Sequence, residues 1–301
     1  MRTHNRAARC GFTIVELLTV ISVIIILIAM IVPGINYTKK IARELKIKAQ
    51  IKGLSEGIEA FYGDYEFYPP SNLTGSRSQK ELTCGSMKFA EALVGLDLHG
   101  YDPQSTFDVE TTVNDPRAYV GQASLDRRKE MFITPSQDMV AVDVNSLGTF
   151  YSDWGDLYDS PPQGYKVGRL LCDAMKVREV PGAGGTTMVA GTPFVYFKAD
   201  TGSRLFDKTQ NKGNIYNYED NMDLFKLMPL SEETDKNGNL IPHAWSPNIA
   251  GNAGRTAFYN AITNPAITTE PRPYNTNGFL IISAGIDGVY GTKDDITNYK
   301  R

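Results

Sequence analysis

FTIVELLTVISVIIILIAMIV, residues 12–32, is an almost unbroken apolar run of 21 residues, long enough to cross a bilayer core as a helix. Its polar members are Thr13, Glu16, Thr19 and Ser22. A secretory signal would carry a shorter apolar core ending at a small-residue cleavage site. This run ends instead in Ile31-Val32-Pro33-Gly34, so a single membrane helix fits better. Glu16 is the odd residue. A carboxylate at a helix centre in lipid costs about 2.5–3.5 kcal/mol, less near an end. It reads either as a snorkelling or protonated side chain, or as a charge awaiting a partner inside the membrane, the default for such groups.

Working outward, both flanks are basic. Arg2, Arg6 and Arg9 precede the run, while Lys39, Lys40, Arg43, Lys46, Lys48 and Lys52 follow it. A positive-inside count would, if anything, place the C-terminal side in the cytoplasm. The rest of the chain is ordinary: 301 residues, 42% hydrophobic, 22% charged and a net charge of -3, which exclude a polytopic membrane protein and give no basic excess for nucleic acid. Cys10, Cys84 and Cys172 are too few for a disulfide framework, and His4, His99 and His243 are scattered. There is no phosphate loop and no nucleophile elbow. Gly182-Ala183-Gly184-Gly185 lacks the strand and helix context of a nucleotide site. Composition thus argues against most common enzyme classes.

The segment Arg9-Cys10-Gly11-Phe12-Thr13-Ile14-Val15-Glu16-Leu17-Leu18 resembles the processing signal of type IV pilins and pseudopilins. That resemblance implies cleavage between Gly11 and Phe12 by a prepilin peptidase on the cytoplasmic side, N-methylation of Phe12, and an N-in, C-out topology. It implies that Glu16 attracts the amine of Phe12 on a neighbouring subunit, so that copies stack into a helical filament. Attraction in low dielectric offsets the cost of the buried charge. The family also carries a proline at the place of Pro33. Proline removes a backbone donor and breaks or kinks a helix, and the resemblance implies that the chain near it can unwind when packed in a filament.

Beyond Pro33, Ile41, Leu45, Ile51, Leu54, Ile58 and Phe61 recur at near-helical spacing. The intervening Lys and Arg residues read first as a solvated face, with headgroup contact by Lys39 and Lys40 a secondary reading. The helix should end before Tyr68-Pro69-Pro70, an extended loop. A short helix is expected over 86–96, and strands over 139–144, 192–198 and 278–283. Asp153, Asp156 and Asp159 read as turn chemistry. Asp235-Lys236-Asn237-Gly238-Asn239 begins like an EF-hand, but Ser246 stands where the bidentate Glu belongs, so a hairpin turn is expected. Cys84 and Cys172 can be read as one disulfide or as two free thiols.

The C-terminal segment 283–298 carries Asp287, Asp294 and Asp295, with Gly285, Gly288 and Gly291 among them. Alone, it reads as a solvated acidic loop. It resembles the calcium loop of the type II secretion major pseudopilin. The resemblance implies Ca2+ held by Asp287, Asp294 and Asp295 with backbone carbonyls near Ala284, Val289 and Thr292. On that basis Asp294→Ala should lower stability only when calcium is present.

The resemblance covers 11–72 and 278–298. It implies an α+β, pilin-like fold: a long N-terminal membrane helix packed on a small antiparallel sheet, with a large loop-rich insertion. The implied divisions are a basic leader 1–11, a helix 12–64 and a periplasmic domain 65–301, with the insertion at about 73–277 and the calcium loop at 283–298. The implied role is a type II secretion pseudopilin in the inner membrane and periplasm, partnered by copies of itself, other pseudopilins and the inner-membrane secretion platform. A type IV pilus or competence pilin is the nearest alternative, and an anchored binding module that never polymerises is another.

Overall fold

The computed structural model describes residues 13–72, 84–95, 98–105, 122–134, 140–143, 169–173, 178–181, 187–226, 236–239 and 241–300. Contacts divide the chain into two units, residues 1–43 and 44–301.

Helix α1 runs Ile14–Tyr65 and contributes to both units. In the first unit every described side chain from Ile14 to Ile35 is exposed. A helix that is apolar all round and unburied is suited to lipid rather than water. Its polar side chains are satisfied within the helix. The hydroxyls of Thr19 and Ser22 donate to the carbonyls of Glu16 and Leu18 at 2.9 and 2.8 Å. That bookkeeping is what a segment without water requires. Pro33 lies inside α1, and the helix continues through it rather than breaking there. The preceding turn loses one backbone hydrogen bond, but the neighbouring ones persist.

In the second unit α1 buries Ile47, Ile51, Leu54, Ile58 and Phe61, spaced four and three residues apart. Ile41 and Leu45, expected on the same stripe, are exposed, because at 100° per residue they lie about 120–160° round α1 from the centre of the buried face, which Ile47 shares. Helix α2, Gly85–Val94, turns its Phe89, Ala90 and Leu93 into the same cluster. It stops two residues before the expected Leu96. The short α3 spans Gln122–Arg127.

Strands β1 (Val140–Asp143) and β2 (Arg169–Cys172) form one antiparallel pair, β3 (Arg178–Pro181) and β4 (Thr187–Ala190) another. The central sheet is β5 (Val195–Lys198), β6 (Phe279–Ser283) and β7 (Ile296–Thr297), all antiparallel in the order β5-β6-β7. Residues 192–194, just before β5, bond back to β2: Phe194 N–H donates to Leu171 O and Asp173 N–H to Thr192 O.

The alternation along these strands decides the packing. Phe194, Tyr196, Phe279 and Ile281 face the cluster shared with α1 and α2. Val195, Phe197, Leu280 and Ile282 face a second cluster with Ile215, Tyr216, Tyr218, Phe225, Trp245, Phe258 and Tyr259. Side chains of period two thus bury both faces of the sheet. The second face is covered by α4 (Met222–Lys226) and α5 (Ala253–Ile262) with Ile215, Tyr216, Tyr218 and Trp245. The long interior of the chain was expected as a loop-rich insertion; its described residues build half of the core.

Cys84 and Cys172 are both buried and free, so the disulfide reading is not realised. Burial pushes the Cys84 thiol up to about 12. Lys236–Asn239 forms a turn, with no strand beside it among the described residues. The Asp153 cluster and the 182–185 glycine loop lie outside the described residues.

Candidate functional site

Two regions carry the residues singled out in the sequence. Gly11 and Phe12 lie outside the described residues. Immediately after them, Thr13 caps α1. The Thr13 N–H and hydroxyl donate to Glu16 Oε2 at 2.9 and 2.8 Å, and the Glu16 N–H donates to Thr13 Oγ1 at 3.2 Å. This is a capping box, in which Thr and a Glu three residues on satisfy each other's backbone donors. The pattern Thr13-x-x-Glu16 is its signal in the sequence, carried by the same Glu16 that also reads as a membrane charge. Pro33 lies within the same helix, 17 positions beyond Glu16.

The second region is the acidic loop between β6 and β7. The turn after Ser283 places Gly285 at φ 66, where an added Cβ would sit 2.2 Å from the Asp294 carbonyl oxygen. Asp294 then closes the loop. Its Oδ2 accepts the Ile286 and Asp287 N–H groups at 2.8 and 2.9 Å, and its Oδ1 accepts the Thr292 hydroxyl. Asp287 Oδ1 accepts the Val289 N–H at 2.7 Å, and Asp295 Oδ2 accepts the Gly291 N–H at 2.9 Å. Each expected carboxylate is therefore an anchor for backbone amides.

Their electrostatics differ. Burial pushes Asp295 up to about 8, against the Gly291 and Thr292 N–H groups, and the Asp294 and Asp287 charges add to the rise. Burial also raises Asp287, to about 6, with Asp294 close enough to share a hydrogen bond. Burial acts upward on Asp294 too, but hydrogen bonds from Thr292, Asp287 and Ile286 outweigh it and hold that carboxyl below its usual range. Asp295 Oδ1 is buried without a hydrogen-bond partner. Among the described residues, no group of three or more His, Cys, Asp and Glu side chains is arranged to hold a metal ion. The loop thus gathers three partly buried carboxyl groups and an orphaned oxygen, but its carboxyls are turned to the backbone.

A neighbouring strap holds the loop from outside. His243 Nδ1 accepts the Tyr290 N–H at 3.1 Å, and the Ala244 N–H donates to the Tyr290 carbonyl at 2.9 Å. Burial drives His243 down to about 3, so it is neutral, with its proton on Nε2. Gly291, at φ 93, lies so close to the Trp245 indole that a Cβ would stand 2.6 Å from Nε1. His243 and Trp245 were not legible as loop partners, because nearly fifty residues of sequence separate them from it.

Comparison with protein-family models, curated proteins and solved structures finds no match. What stands on the geometry is an N-terminal helix apolar enough to span a membrane and a separate unit built on a small antiparallel sheet.

Proposed function

We propose that this chain is a pseudopilin: a structural subunit, not an enzyme, that assembles into the periplasmic pseudopilus of a type II secretion system. The observation that carries the reading is the start of α1. A capped Thr13–Glu16 turn directly follows Gly11-Phe12 and opens an exposed apolar span, and the same helix goes on to supply the buried stripe of the folded unit. On this reading a prepilin peptidase cuts between Gly11 and Phe12 and methylates Phe12. The N-terminus is cytoplasmic and the sheet unit periplasmic. Glu16 receives the Phe12 amine of the next copy, and the filament works with other pseudopilins and the inner-membrane platform.

Calcium belongs to the same reading. Asp287, Asp294 and Asp295, with carbonyls near Ala284, Val289 and Thr292, would hold it. The orphaned Asp295 Oδ1, and the Asp294 charge that adds to the rise of both Asp287 and Asp295, support this. The ion would supply charge neutralisation to the loop.

The test compares the extracellular proteins of a deletion strain with those of its parent. Loss of specific exported proteins, restored by the intact gene, is the expected result. Glu16→Gln separates two roles for the carboxylate. Glutamine keeps the capping box but removes the charge. Failure of Glu16→Gln to restore export assigns the charge to assembly; full restoration confines Glu16 to capping. An unchanged exoproteome accompanied by loss of surface filaments or DNA uptake would replace this reading with a type IV pilus or competence pilin.

A further inference from the structure

The first unit ends in three exposed cations. Lys39, Lys40 and Arg43 are exposed, and none has an ion-pair or hydrogen-bond partner among the described residues. At 100° per residue they lie within about 100° of one another around α1. Their height along the helix is informative. From Ile14 to Ile35 the exposed apolar segment rises about 33 Å, close to the hydrocarbon thickness of a bilayer. Lys39 and Lys40 stand about 6–8 Å beyond Ile35, the depth of the headgroup layer. Arg43 stands one turn further, within reach of that layer by its long side chain.

We infer that Lys39, Lys40 and Arg43 form a docking surface for the phosphates of anionic phospholipids, fixing the depth of α1 in the bilayer. The inference rests on reading α1 as membrane-spanning. Charge complementarity selects the occupant. Each basic residue at such a surface attracts anionic lipid appreciably, and three within one turn reinforce one another. Guanidinium and ammonium groups are also the usual partners of phosphate oxygens. On the topology proposed above, these cations lie on the side of the membrane from which the positive-inside bias removes Lys and Arg. Headgroup binding gives their presence there a physical reason. Exposed Tyr37, two residues before Lys39, has the amphipathic character of an interfacial anchor.

The experiment uses the full chain reconstituted in phosphatidylcholine vesicles containing a minority of phosphatidylglycerol. Alkaline extraction first establishes insertion. Electron spin resonance then measures the relative association of spin-labelled phosphatidylglycerol and phosphatidylcholine. A preference of about threefold or more for phosphatidylglycerol is expected, weakening at high salt. Because Arg2, Arg6 and Arg9 flank the other end, the decisive quantity is the change on substitution. Combined Lys39→Gln, Lys40→Gln and Arg43→Gln should remove most of the preference, whereas Lys48→Gln should leave it intact. Equal association of the two lipids in the wild type, or a preference untouched by the triple variant, overturns the inference and leaves the membrane span standing. Release of the chain by alkaline extraction overturns both.

Discussion

Asp294 and Asp295 are adjacent and chemically identical, yet the loop gives them opposite tasks. Asp294 is held ionised by donors on both oxygens, whereas Asp295 is buried with one oxygen unpaired. Asp294→Ala should therefore destabilise the domain by about 1–3 kcal/mol with or without calcium, because it strands the Ile286 and Asp287 amides. This replaces the sequence-based expectation of a calcium-dependent effect alone. Asp295→Asn should act the other way in chelator. The folded-state value of about 8 lies above the unfolded value of about 3.9, so the native state holds a proton that the unfolded chain lacks, and stability falls as pH rises between them. From pH 6.5 to 8 the unfolded-state imidazole of His243 loses its remaining proton while the native one is already neutral, so it adds a slope of opposite sign that fades toward pH 8 and is common to wild type and variant. Asp220, pushed up to about 7 by burial, adds slope of the same sign as Asp295 and is untouched by the variant. Melting curves in chelator should thus fall less steeply with pH for Asp295→Asn than for the wild type. Calcium should raise the wild-type melting temperature and not that of the variant; a wild type indifferent to both calcium and chelator would remove the ion from the loop.

At the scale of elements, the free edge of β5 is the instructive case. An edge strand leaves N–H and C=O groups that invite pairing with another chain. Here side chains from three separate segments close it. Ser86 Oγ accepts the Tyr196 N–H at 3.1 Å, Ser71 Oγ accepts the Lys198 N–H at 2.9 Å, and Asn221 Nδ2 donates to Tyr196 O at 2.6 Å. Ser71 in turn donates to Asp220 Oδ2 at 2.7 Å, and Asn221 Oδ1 accepts the Ser86 N–H at 2.9 Å. Every polar group in this buried seam has a partner, which keeps it from being a liability. Ser86→Ala leaves the Tyr196 N–H unpaired and should cost about 1–3 kcal/mol in chemical denaturation. On α1, Leu54→Ala should cost about 2–5 kcal/mol, since Leu54 is wholly buried between α1, α2 and the sheet. Leu45→Ala, at a 60% exposed position, should change the stability of an isolated copy by less than about 0.5 kcal/mol.

For the molecule as a whole, the division at Arg43 and Glu44 separates solubility from stability. The first unit contributes exposed apolar surface and no residue to either core cluster. A chain beginning at Glu44 should therefore be soluble without detergent. Its melting temperature should lie within about 2–4 °C of the full chain, the shift that about 1 kcal/mol produces at this size. A large drop would mean that the first unit supports the fold. The sheet is the second whole-molecule feature. With both faces buried, it behaves as the middle layer of a domain rather than as a platform with one wet side.

The apolar run, its charged flanks and the strands ending at Lys198 and Ser283 were legible in the sequence, because each is a local pattern of composition or period. So was the acidic loop, whose residues lie within a dozen positions. The capping box was legible too, in Thr13-x-x-Glu16. Which hydrophobic residues of α1 meet the core was not. Ile41 and Leu45 lie about 120–160° round α1 from the centre of the face formed by Ile47, Ile51, Leu54, Ile58 and Phe61, and only the packing of that face on the sheet decides that it, rather than theirs, is buried. Nor was the second core legible, since Tyr218, Trp245 and Phe258 come together from segments with no shared period. The clasp of His243 and Trp245 on the loop, and the serines that close β5, are long-range pairings of the same kind. Local periodicity specifies what a segment can bury; only the folded arrangement decides what each face is buried against.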